Sequence, residues 1–381
     1  MSEAGQVEAR SLAAFRQAFA GDPVSVAVAP GRMNIVGEHT DYNQGFALPA
    51  AIDRHVGVAL RLREDGKVEI HSDRYPDPVA LDGLPEHRPG TWADYALGVA
   101  SQLAAHGPIQ RGFDATIVSE IPVGSGLSSS GALEVAVAVA LLRAFGIELP
   151  PLEVAQLCQR AENQFVGART GIMDQFTALS ARAGYALLLD CRSLTASQVS
   201  MLPPRFTWLL ADTRVHHQLA SSSYNERRAQ CDAAAKALGA SSLRDLTEPD
   251  LDRLADPILL RRARHVVTED ARVLEAAEAL RKWDERRLGA ILFASHSSLR
   301  DDFEVSCAEL DRLVDVAASK PSVLGARMMG GGFGGCVLVL LESDRVTEVE
   351  HDLAQAYAKT FPQPLAFYRV RSVDGVMPSR G

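Results

Sequence analysis

A glycine- and serine-rich segment followed by a long apolar stretch most constrains how this chain can fold. The segment reads VGSGLSSSG over residues 123–131, and ALEVAVAVALLRAF follows it. The stretch GFDATIVSEIP before it alternates as a strand does. The stretch after it is apolar on nearly every side of a helix, so we expect that helix to be buried. A strand, a tight loop and a buried helix in this order predict a layered protein of the α/β or α+β class.

The same segment predicts phosphate binding. Its small residues let backbone N–H groups approach a ligand, and the first helical turn adds unpaired donors and the positive end of the helix dipole. The serines at 128–130 can cap the helix or contact phosphate and a metal ion. No lysine follows Gly131, which excludes a Walker A loop, and Ser129 stands where a dinucleotide fingerprint has its third glycine. A serine-capped helix after a glycine turn is the alternative.

Two other clusters hold unusual residues. The stretch GARMMGGGFGGC, residues 325–336, contains six glycines. Glycine costs conformational entropy, so this density indicates either close backbone approach to a ligand or a turn before a buried strand. The stretch ENQFVGARTGIMDQF places Glu162 at the end of a predicted helix and Asp174 among apolar residues. Asp174 is therefore either a paired structural carboxylate or a catalytic group.

The polar segment, PGRMNIVGEHTDYN at residues 30–43, is predicted as a loop after the strand VSVAVAP. It holds Arg32, Glu38, His39 and Asp41 close together in the chain. A solvated loop rarely needs so many different polar groups, so the segment is interpreted as holding a polar ligand. The same side chains could instead suggest a metal cluster, but the H-E-x-x-H pattern is absent.

Composition excludes several classes of protein. The net charge is -9 and no basic stripe occurs, so we expect no nucleic-acid partner. The five cysteines are scattered without a C-x-x-C pair, which argues against a disulfide framework and a zinc site. The polar start of the chain and its short apolar runs predict neither a signal peptide nor a membrane partner. We expect a cytoplasmic enzyme, a monomer or a weak homodimer.

The length of 381 residues indicates two domains, since a domain usually has about 100–200 residues. Pro203 and Pro204 form the best candidate joint between them. The predicted division is therefore an N-terminal domain of residues 1–204 and a C-terminal domain of residues 205–381.

Taken together, the motifs resemble a family of small-molecule kinases that includes galactokinase, homoserine kinase and mevalonate kinase. PVGSGLSSSGALEVA is similar to the phosphate motif of that family, and GARMMGGGFGGC to its C-terminal glycine motif. The polar segment resembles the signature of the galactokinase members. The stretches GIMDQF, SSYNERRAQC, RARHVVTEDARV and SHSSLRDDFEVSCAELD extend the resemblance over about residues 25–340.

The resemblance implies an α+β, two-domain kinase fold with the active site in the cleft. The N-terminal domain would be ribosomal-protein-S5-domain-2-like, and the C-terminal domain a ferredoxin-like α/β layer. The implied reaction transfers the γ-phosphate of ATP to the anomeric hydroxyl of galactose, the first committed step of galactose catabolism. Two alternatives stay open: a kinase for N-acetylgalactosamine, arabinose or a uronic acid, and a non-catalytic regulator that binds sugar and ATP.

The resemblance also implies roles for individual residues. The catalytic pair would be Asp174, as acceptor of the hydroxyl proton, and Arg32. The residues matching the sugar site are Glu38, His39, Asp41, Gly171 and Tyr224. Those matching the ATP-binding loop are Gly124, Ser125, Gly126, Leu127, Ser128, Ser129, Ser130 and Gly131. Mg²⁺ would arrive with ATP and be held by Ser130 and Glu162.

Two positions depart from the family pattern. Gly131 stands where alanine is common, which predicts a slightly looser start of the helix. Met329 stands where threonine is usual, and we expect the lost hydroxyl to weaken nucleotide binding. His296, Arg300, Asp301 and Asp302 are interpreted as capping and pairing residues, and the charges of residues 226–285 as a solvated helical face.

Overall fold

The computed structural model describes residues 2–106, 112–216 and 220–377 and confirms the α+β class. The helices are α1 Glu3–Ala18, α2 Asp94–His106, α3 Ser129–Phe145, α4 Pro151–Arg160, α5 Met173–Ser180, α6 Ala220–Ala237, α7 Pro257–Lys282, α8 Glu285–Asp301, α9 Ala308–Ala318 and α10 Val346–Ala358. The strands are β1 Ser25–Asn34, β2 Phe46–Ala47, β3 Pro49–Arg63, β4 Val68–Ser72, β5 Val79–Leu81, β6 Gly112–Ser119, β7 Tyr185–Asp190, β8 Thr195–Ser200, β9 Phe206–His216, β10 Val323–Met328, β11 Gly334–Glu342 and β12 Ala366–Val370.

The largest sheet comes from the first part of the chain and has the order β1-β3-β6-β4-β5. Strand β1 pairs antiparallel with β3, and the register shifts between Pro30 and Arg32. Proline cannot donate to a ladder, and the irregularity beside it lets pairing resume at Arg32, opposite Ala51. The strand therefore continues to Asn34, so the prediction of a loop over residues 30–34 is wrong.

Helix α3 is the buried helix that the apolar stretch predicts. Its buried residues include Val135, Leu141 and even the carboxyl side chain of Glu134. The helix packs against β1 and β3 on one side and against α2 and α5 on the other. Because every side meets another element, an apolar residue is favourable at almost every position. The loop before α3 is thereby fixed over the end of the sheet.

The second large sheet has the order β10-β11-β9-β12, and its paired strands are all antiparallel. Helices α9 and α10 pack against it, as expected for the ferredoxin-like layer. Strand β9 begins just after the predicted joint at Pro203 and Pro204. The larger apolar core nevertheless continues past that joint, since it contains Leu202, Trp208 and Leu338. The division into residues 1–204 and 205–381 stays a prediction.

A smaller sheet, β2-β7-β8, stands beside α7. Helix α7 joins the two apolar cores, because Val273 and Ala277 belong to the larger one and Ala263 and Val266 to the smaller. Within the described residues, no helix is both long and apolar enough to cross a membrane.

Candidate active site

Two cavities adjoin between the sheets and share one wall. The larger has a volume of about 400 Å³ and the smaller about 150 Å³. The residues that line both are Arg32, Ser130, Asp174, Gly330 and Gly331. A ligand in one cavity therefore lies directly beside a ligand in the other.

Arg32 and Asp174 form a bidentate ion pair at this shared wall. Nε of Arg32 lies 2.8 Å from Oδ1 of Asp174, and Nη2 lies 3.0 Å from Oδ2. The third donor, Nη1, contacts the carbonyl oxygen of Gly126 at 2.5 Å. The bulge of β1 aims Arg32, while Asp174 lies in the first turn of α5. Bidentate geometry fixes both groups, so the pair holds the glycine- and serine-rich loop to the strand and to α5.

The loop before α3 has the strained backbone of a ligand-binding turn. Gly126 has φ 77°, and a methyl group there would lie 2.8 Å from the carbonyl oxygen of Met329. Ser128 also has a left-handed φ of 62°. Its side chain makes no capping bond, so a serine-capped helix is not what forms. The buried Ser128 hydroxyl has no hydrogen-bond partner among the described residues, which leaves it available to a ligand.

Six of the eight predicted ATP-binding residues line the larger cavity, and the other two lie behind its lining. The residues of this set that line the larger cavity are Gly124, Gly126, Leu127, Ser128, Ser129 and Ser130. Ser125 donates instead to the carbonyl oxygen of Pro122 at 2.7 Å and closes the turn. Gly131 packs behind the wall, where an added methyl group would lie 2.9 Å from Cβ of Asp174. Glycine at this departure from the family pattern thus gives Asp174 room.

All the residues predicted to bind the sugar line the smaller cavity: Glu38, His39, Asp41, Gly171 and Tyr224. Burial, together with the nearby Asp174 charge, raises the pKa of Asp41 to about 6. A methyl group on Gly171 would lie 2.0 Å from Oδ2 of Asp41, so glycine there admits the carboxylate. The chain thus brings together groups that accept hydrogen bonds from hydroxyls.

The imidazole of His39 is fixed by neighbours on several sides. Its Nδ1 lies 2.8 Å from the hydroxyl of Tyr42. Its ring packs against those of Tyr224 and Phe303, with centroids 5.2 and 4.7 Å away. Burial, together with the His265 charge, lowers the pKa of His39 to about 3. The imidazole is therefore neutral at physiological pH and acts by hydrogen bonding and shape.

Comparison with known proteins agrees with this geometry. Residues 94–182 match the GHMP kinases N terminal domain, residues 276–359 match the GHMP kinases C terminal domain, and residues 13–62 match the galactokinase galactose-binding signature. The Homo sapiens galactokinase is 42% identical over 388 residues, which cover 98% of this chain and 97% of that protein. The chain belongs to the galactokinase family.

Solved structures of kinases show the same architecture. The Lactococcus lactis galactokinase complexed with galactose has a TM-score of 0.90 and 36% identity, over 96% of this chain and 97% of that one. The Methanococcus jannaschii mevalonate kinase has a TM-score of 0.69 and 17% identity, over 93% of this chain and 100% of that one. The second likeness shows the fold alone.

The predicted metal-binding pair of this galactokinase-family chain lies beside the shared wall. The hydroxyl of Ser130 is 3.5 Å from Oε1 of Glu162, in a π-helical turn after α4. Oε2 of Glu162 accepts hydrogen bonds from Thr170 at 2.6 Å and from Gln175 at 2.8 Å. Burial raises the pKa of Glu162 to about 7. One carboxylate and one hydroxyl suit Mg²⁺, which takes its other ligands from phosphates and water.

Among the described residues, no group of three or more His, Cys, Asp or Glu side chains could hold a metal ion by itself. The alternative that Glu38, His39 and Asp41 form such a cluster is thus unsupported. A metal ion here would depend on the phosphates of a bound nucleotide.

Aromatic residues that sequence reasoning missed line the outer part of the larger cavity. The rings of Tyr75 and Trp92 stack with centroids 5.0 Å apart and an interplanar angle of 9°. Tyr95 and the exposed Val123 lie beside them. Flat rings and apolar side chains suit a planar heterocycle. The sequence did contain a signal for them. Trp92 and Tyr95 lie within one stretch of four residues, although only 6% of the residues in the chain are aromatic.

The interpretation of residues 226–285 as a solvated face is wrong for one side of α7. The charged or polar side chains buried there are Arg262, His265, Glu269 and Asp270. Oδ1 of Asp270 accepts a hydrogen bond from the backbone N–H of Phe46 at 2.7 Å. These side chains are buried because irregular backbone packed against α7 needs hydrogen-bond partners.

Two of them hold the polar segment itself. Oε1 of Glu269 accepts from the backbone N–H of Gly37 at 3.0 Å. Nε2 of His265 lies 3.1 Å from the carbonyl oxygen of Glu38. Gly37 has φ 102°, a conformation that favours glycine and exposes its N–H to α7. Helix α7 thus positions the residues that line the smaller cavity without lining it.

Met329 lies in the apolar core and lines neither cavity. Its Sδ accepts a hydrogen bond from the backbone N–H of Asn34 at 3.3 Å. The structure therefore gives no geometric basis for the expected loss of a ligand contact at this position.

Proposed function

We propose that this protein transfers the γ-phosphate of ATP to the anomeric hydroxyl of D-galactose, giving α-D-galactose 1-phosphate and ADP. The observation that carries the proposal is the Arg32–Asp174 pair at the wall between a glycine-rich phosphate loop and a carboxylate-lined cavity. Family membership supports ATP as the phosphate donor. The galactose-binding signature supports the sugar.

In the proposed complex the sugar occupies the smaller cavity. Glu38 and Asp41 accept hydrogen bonds from its hydroxyls, and a wrong epimer leaves a buried acceptor unpaired. A uronic acid would bring another carboxylate to a cavity already lined by four, where Arg32 is engaged by Asp174. The cavity thus favours a neutral sugar over the uronic-acid alternative.

In the proposed complex the nucleotide occupies the larger cavity. Backbone N–H groups of the loop and the first turn of α3 face its phosphates. The stacked rings of Tyr75 and Trp92 contact the base. The γ-phosphate then reaches the wall formed by Arg32 and Asp174.

The reaction is an in-line displacement in which Asp174 accepts the proton of the anomeric hydroxyl. The sugar oxygen forms a bond to the γ-phosphorus as the bond between that phosphorus and the ADP oxygen breaks. Arg32 holds Asp174 in place and stabilises the negative charge on the transferring group. Because the transition state of phosphoryl transfer is loose, positioning by this pair contributes at least as much as proton removal.

We propose that Ser130 and Glu162 hold Mg²⁺ when the nucleotide binds. The ion supplies neutralisation of phosphate charge. Glu162 is kept in position by Thr170 and Gln175, so its Oε1 is turned towards Ser130. We also propose a cytoplasmic location and a monomer or weak homodimer, which fractionation of cells and light scattering would test.

A sugar panel tests the proposed function. The purified protein is given MgATP with galactose, N-acetylgalactosamine, arabinose, galacturonic acid or glucose, and ADP release and the phosphorylated product are measured. Galactose is expected to give the highest kcat/KM and a 1-phosphate product. A different preferred sugar would overturn the substrate assignment. Sugar and ATP binding without ADP release would support a non-catalytic regulator instead.

A further inference from the structure

The side chain of Arg327 is fully buried, although it carries a charge. It stands on β10, at the start of the glycine cluster, with no exposed surface. Arginine is rarely buried to this extent unless it is paired, because removing a charge from water is costly. Its partners should therefore indicate what it does.

Within the described residues, the hydrogen bonds and the ion pair of the Arg327 guanidinium are all with the polar segment. Nη1 donates to the carbonyl oxygens of Asn34 at 2.9 Å and Ile35 at 3.2 Å. Nη2 lies 3.2 Å from Oε1 of Glu38. The guanidinium thus joins a strand of the C-terminal sheet to the backbone and the carboxylate of a segment 292 residues or so away in the chain.

The Glu38 carboxylate accepts two further hydrogen bonds from the protein. Oε1 accepts from the backbone N–H of Gly330 at 2.8 Å, and Oε2 accepts from Nδ2 of Asn34 at 3.0 Å. Together with Arg327, these contacts leave Glu38 only 3% exposed, and that surface lines the smaller cavity. A carboxylate has about four lone-pair sites, so acceptor capacity is left for a ligand.

The number of carboxylates around the smaller cavity explains why a cation lies beside Glu38. The carboxylates that line the smaller cavity are those of Glu38, Asp41, Glu162 and Asp174. Arg32 pairs with Asp174, and Arg327 approaches Glu38 from the opposite side of the wall. An ion pair of this kind gains little net stability, but losing its cation leaves an uncompensated buried anion.

We propose that Arg327 is a positioning residue for sugar recognition: it fixes the Glu38 carboxylate so that its cavity-facing lone pairs accept a hydrogen bond from a sugar hydroxyl. This inference rests on the proposed function. The glycine cluster would then support both cavities, since Gly330 contacts Gly126 of the phosphate loop as well as Glu38. The cluster then aligns both substrates.

Arg327→Lys tests the inference, because lysine keeps the charge but loses the planar fork. We expect the galactose KM, and the galactose Kd from calorimetry, to rise by about tenfold or more, with the ATP KM within about twofold. The matched control is Arg262→Lys. Arg262 is 3% exposed and bonds to Gln230 and Glu304, away from the polar segment. A general loss of stability would affect both variants, but only Arg327→Lys should weaken galactose binding.

A double-mutant cycle with Glu38→Gln separates positioning from a structural role. If Arg327 acts through Glu38, Arg327→Lys should change the galactose Kd by less than about twofold in the Glu38→Gln background. An equal fold loss in both backgrounds would overturn the inference, as would an unchanged galactose KM for Arg327→Lys alone.

Should Arg327→Lys fail to fold, Arg327→Met combined with Glu38→Gln removes both charges together, which proteins tolerate better than one. This variant should bind galactose as Glu38→Gln does, and clearly weaker binding would overturn the inference. Normal galactose kinetics in Arg327→Lys would leave the proposed function intact. If the panel selects another sugar, the same comparison is made with that sugar, and a protein that binds no sugar refutes both proposals.

Discussion

At the scale of single residues, the site depends on groups whose neighbours set their charge. Arg32 is 7% exposed and Asp174 26% exposed, so one side of the pair faces the cavities and the other is fixed by protein. Glycines 131 and 171 stand where even a methyl group would meet Asp174 or Asp41. In this structure, the two glycines therefore give the carboxylates of Asp174 and Asp41 the room that they occupy.

Asp174→Asn and Arg32→Ala should each lower kcat by about 10³-fold or more, because each removes one half of the pair that positions the reacting groups. Both variants should keep the fold, since the pair lies at a cavity wall. Turnover is measured beside thermal melting and circular dichroism. Activity close to that of the unchanged protein, in either folded variant, would contradict the proposed mechanism.

Asp41 should make galactose binding depend on pH. Its pKa is about 6 in the folded protein against an ordinary 3.8, so its carboxylate takes up a proton as pH falls through about 6. A protonated carboxyl loses acceptor capacity, and the galactose Kd, measured without nucleotide, should rise below that pH. A galactose Kd that is constant from about pH 5 to 8 would contradict this.

The same shift predicts that Asp41→Asn is more stable than the unchanged protein at neutral pH. The raised pKa of Asp41 contributes stability that is fully present below about pH 3.8 and is lost as pH rises through about 6. Above about pH 6 the side chain is ionised, and keeping that charge buried lowers the free energy of unfolding. Asparagine keeps an acceptor for the N–H of Tyr42 and should raise the free energy of unfolding by about 1 to 2 kcal/mol. Urea unfolding at about pH 8 and at about pH 4 should show the gain only at the higher value.

At the scale of elements, α7 and β1 matter more than their sequences indicate. Helix α7 looks like a charged surface helix, yet one face supplies hydrogen-bond acceptors to Gly37 of the polar segment and to Phe46 just after that segment. Strand β1 continues past a proline because a bulge restores its pairing, which carries Arg32 to the shared wall. In both elements a polar or irregular feature is explained by a partner far away in the chain.

Glu269→Ala on α7 should lower the free energy of unfolding by about 3 to 5 kcal/mol, because it removes the buried carboxylate that accepts hydrogen bonds from the N–H of Gly37 and from Nε of Arg272. Burial alone would raise the pKa of Glu269, but the charges of Arg272 and His265 hold it at about 2. The control on the exposed face of the same helix is Glu278→Ala, which should change stability by less than about 0.5 kcal/mol. Equal effects at the two positions, measured by urea unfolding, would contradict the proposed role of α7.

A depressed pKa gives a stability contribution that is present above the ordinary value of 4.5 and lost as pH falls through about 2. The difference in unfolding free energy between the unchanged protein and Glu269→Ala should therefore shrink as pH is lowered across that range.

At the scale of the whole molecule, the two large sheets share the larger apolar core. The larger core takes residues from both sides of the predicted joint, and α7 joins it to the smaller core. Arg327 of the C-terminal sheet and Met329, just after β10, each form a hydrogen bond with Asn34 of the N-terminal sheet. Movement of one sheet against the other would therefore disturb the site.

We predict a single cooperative thermal transition for the full chain, since its parts share buried surface. Galactose at about 100 times its Kd should stabilise that transition by about 2.7 kcal/mol through mass action. Scanning calorimetry with and without galactose tests both statements. Two separate transitions, with only one shifted by galactose, would favour independent domains of residues 1–204 and 205–381.

Much of what could be predicted about the fold and the candidate site came from local sequence patterns. The phosphate loop and the buried helix α3 were predictable because a strand, small residues and an apolar stretch follow one another directly. The capping role offered for Ser128 was wrong, since its backbone adopts a left-handed conformation that depends on the loop as a whole. Burial of His265 and Glu269 was not predictable, because only the packed polar segment shows which face of α7 is covered.

The sequence by itself supplied the groups on which the proposed function rests: a glycine- and serine-rich loop for phosphate, carboxylates for hydroxyls, and an arginine and an aspartate for transfer. Only the tertiary structure decided how these groups work together. Arg32 and Asp174 are 142 residues apart, and Arg327 and Glu38 come from different sheets. Local spacing fixes which groups are near a turn or a helix end, whereas contacts between distant segments depend on how buried surfaces pack, and a linear pattern does not contain that information.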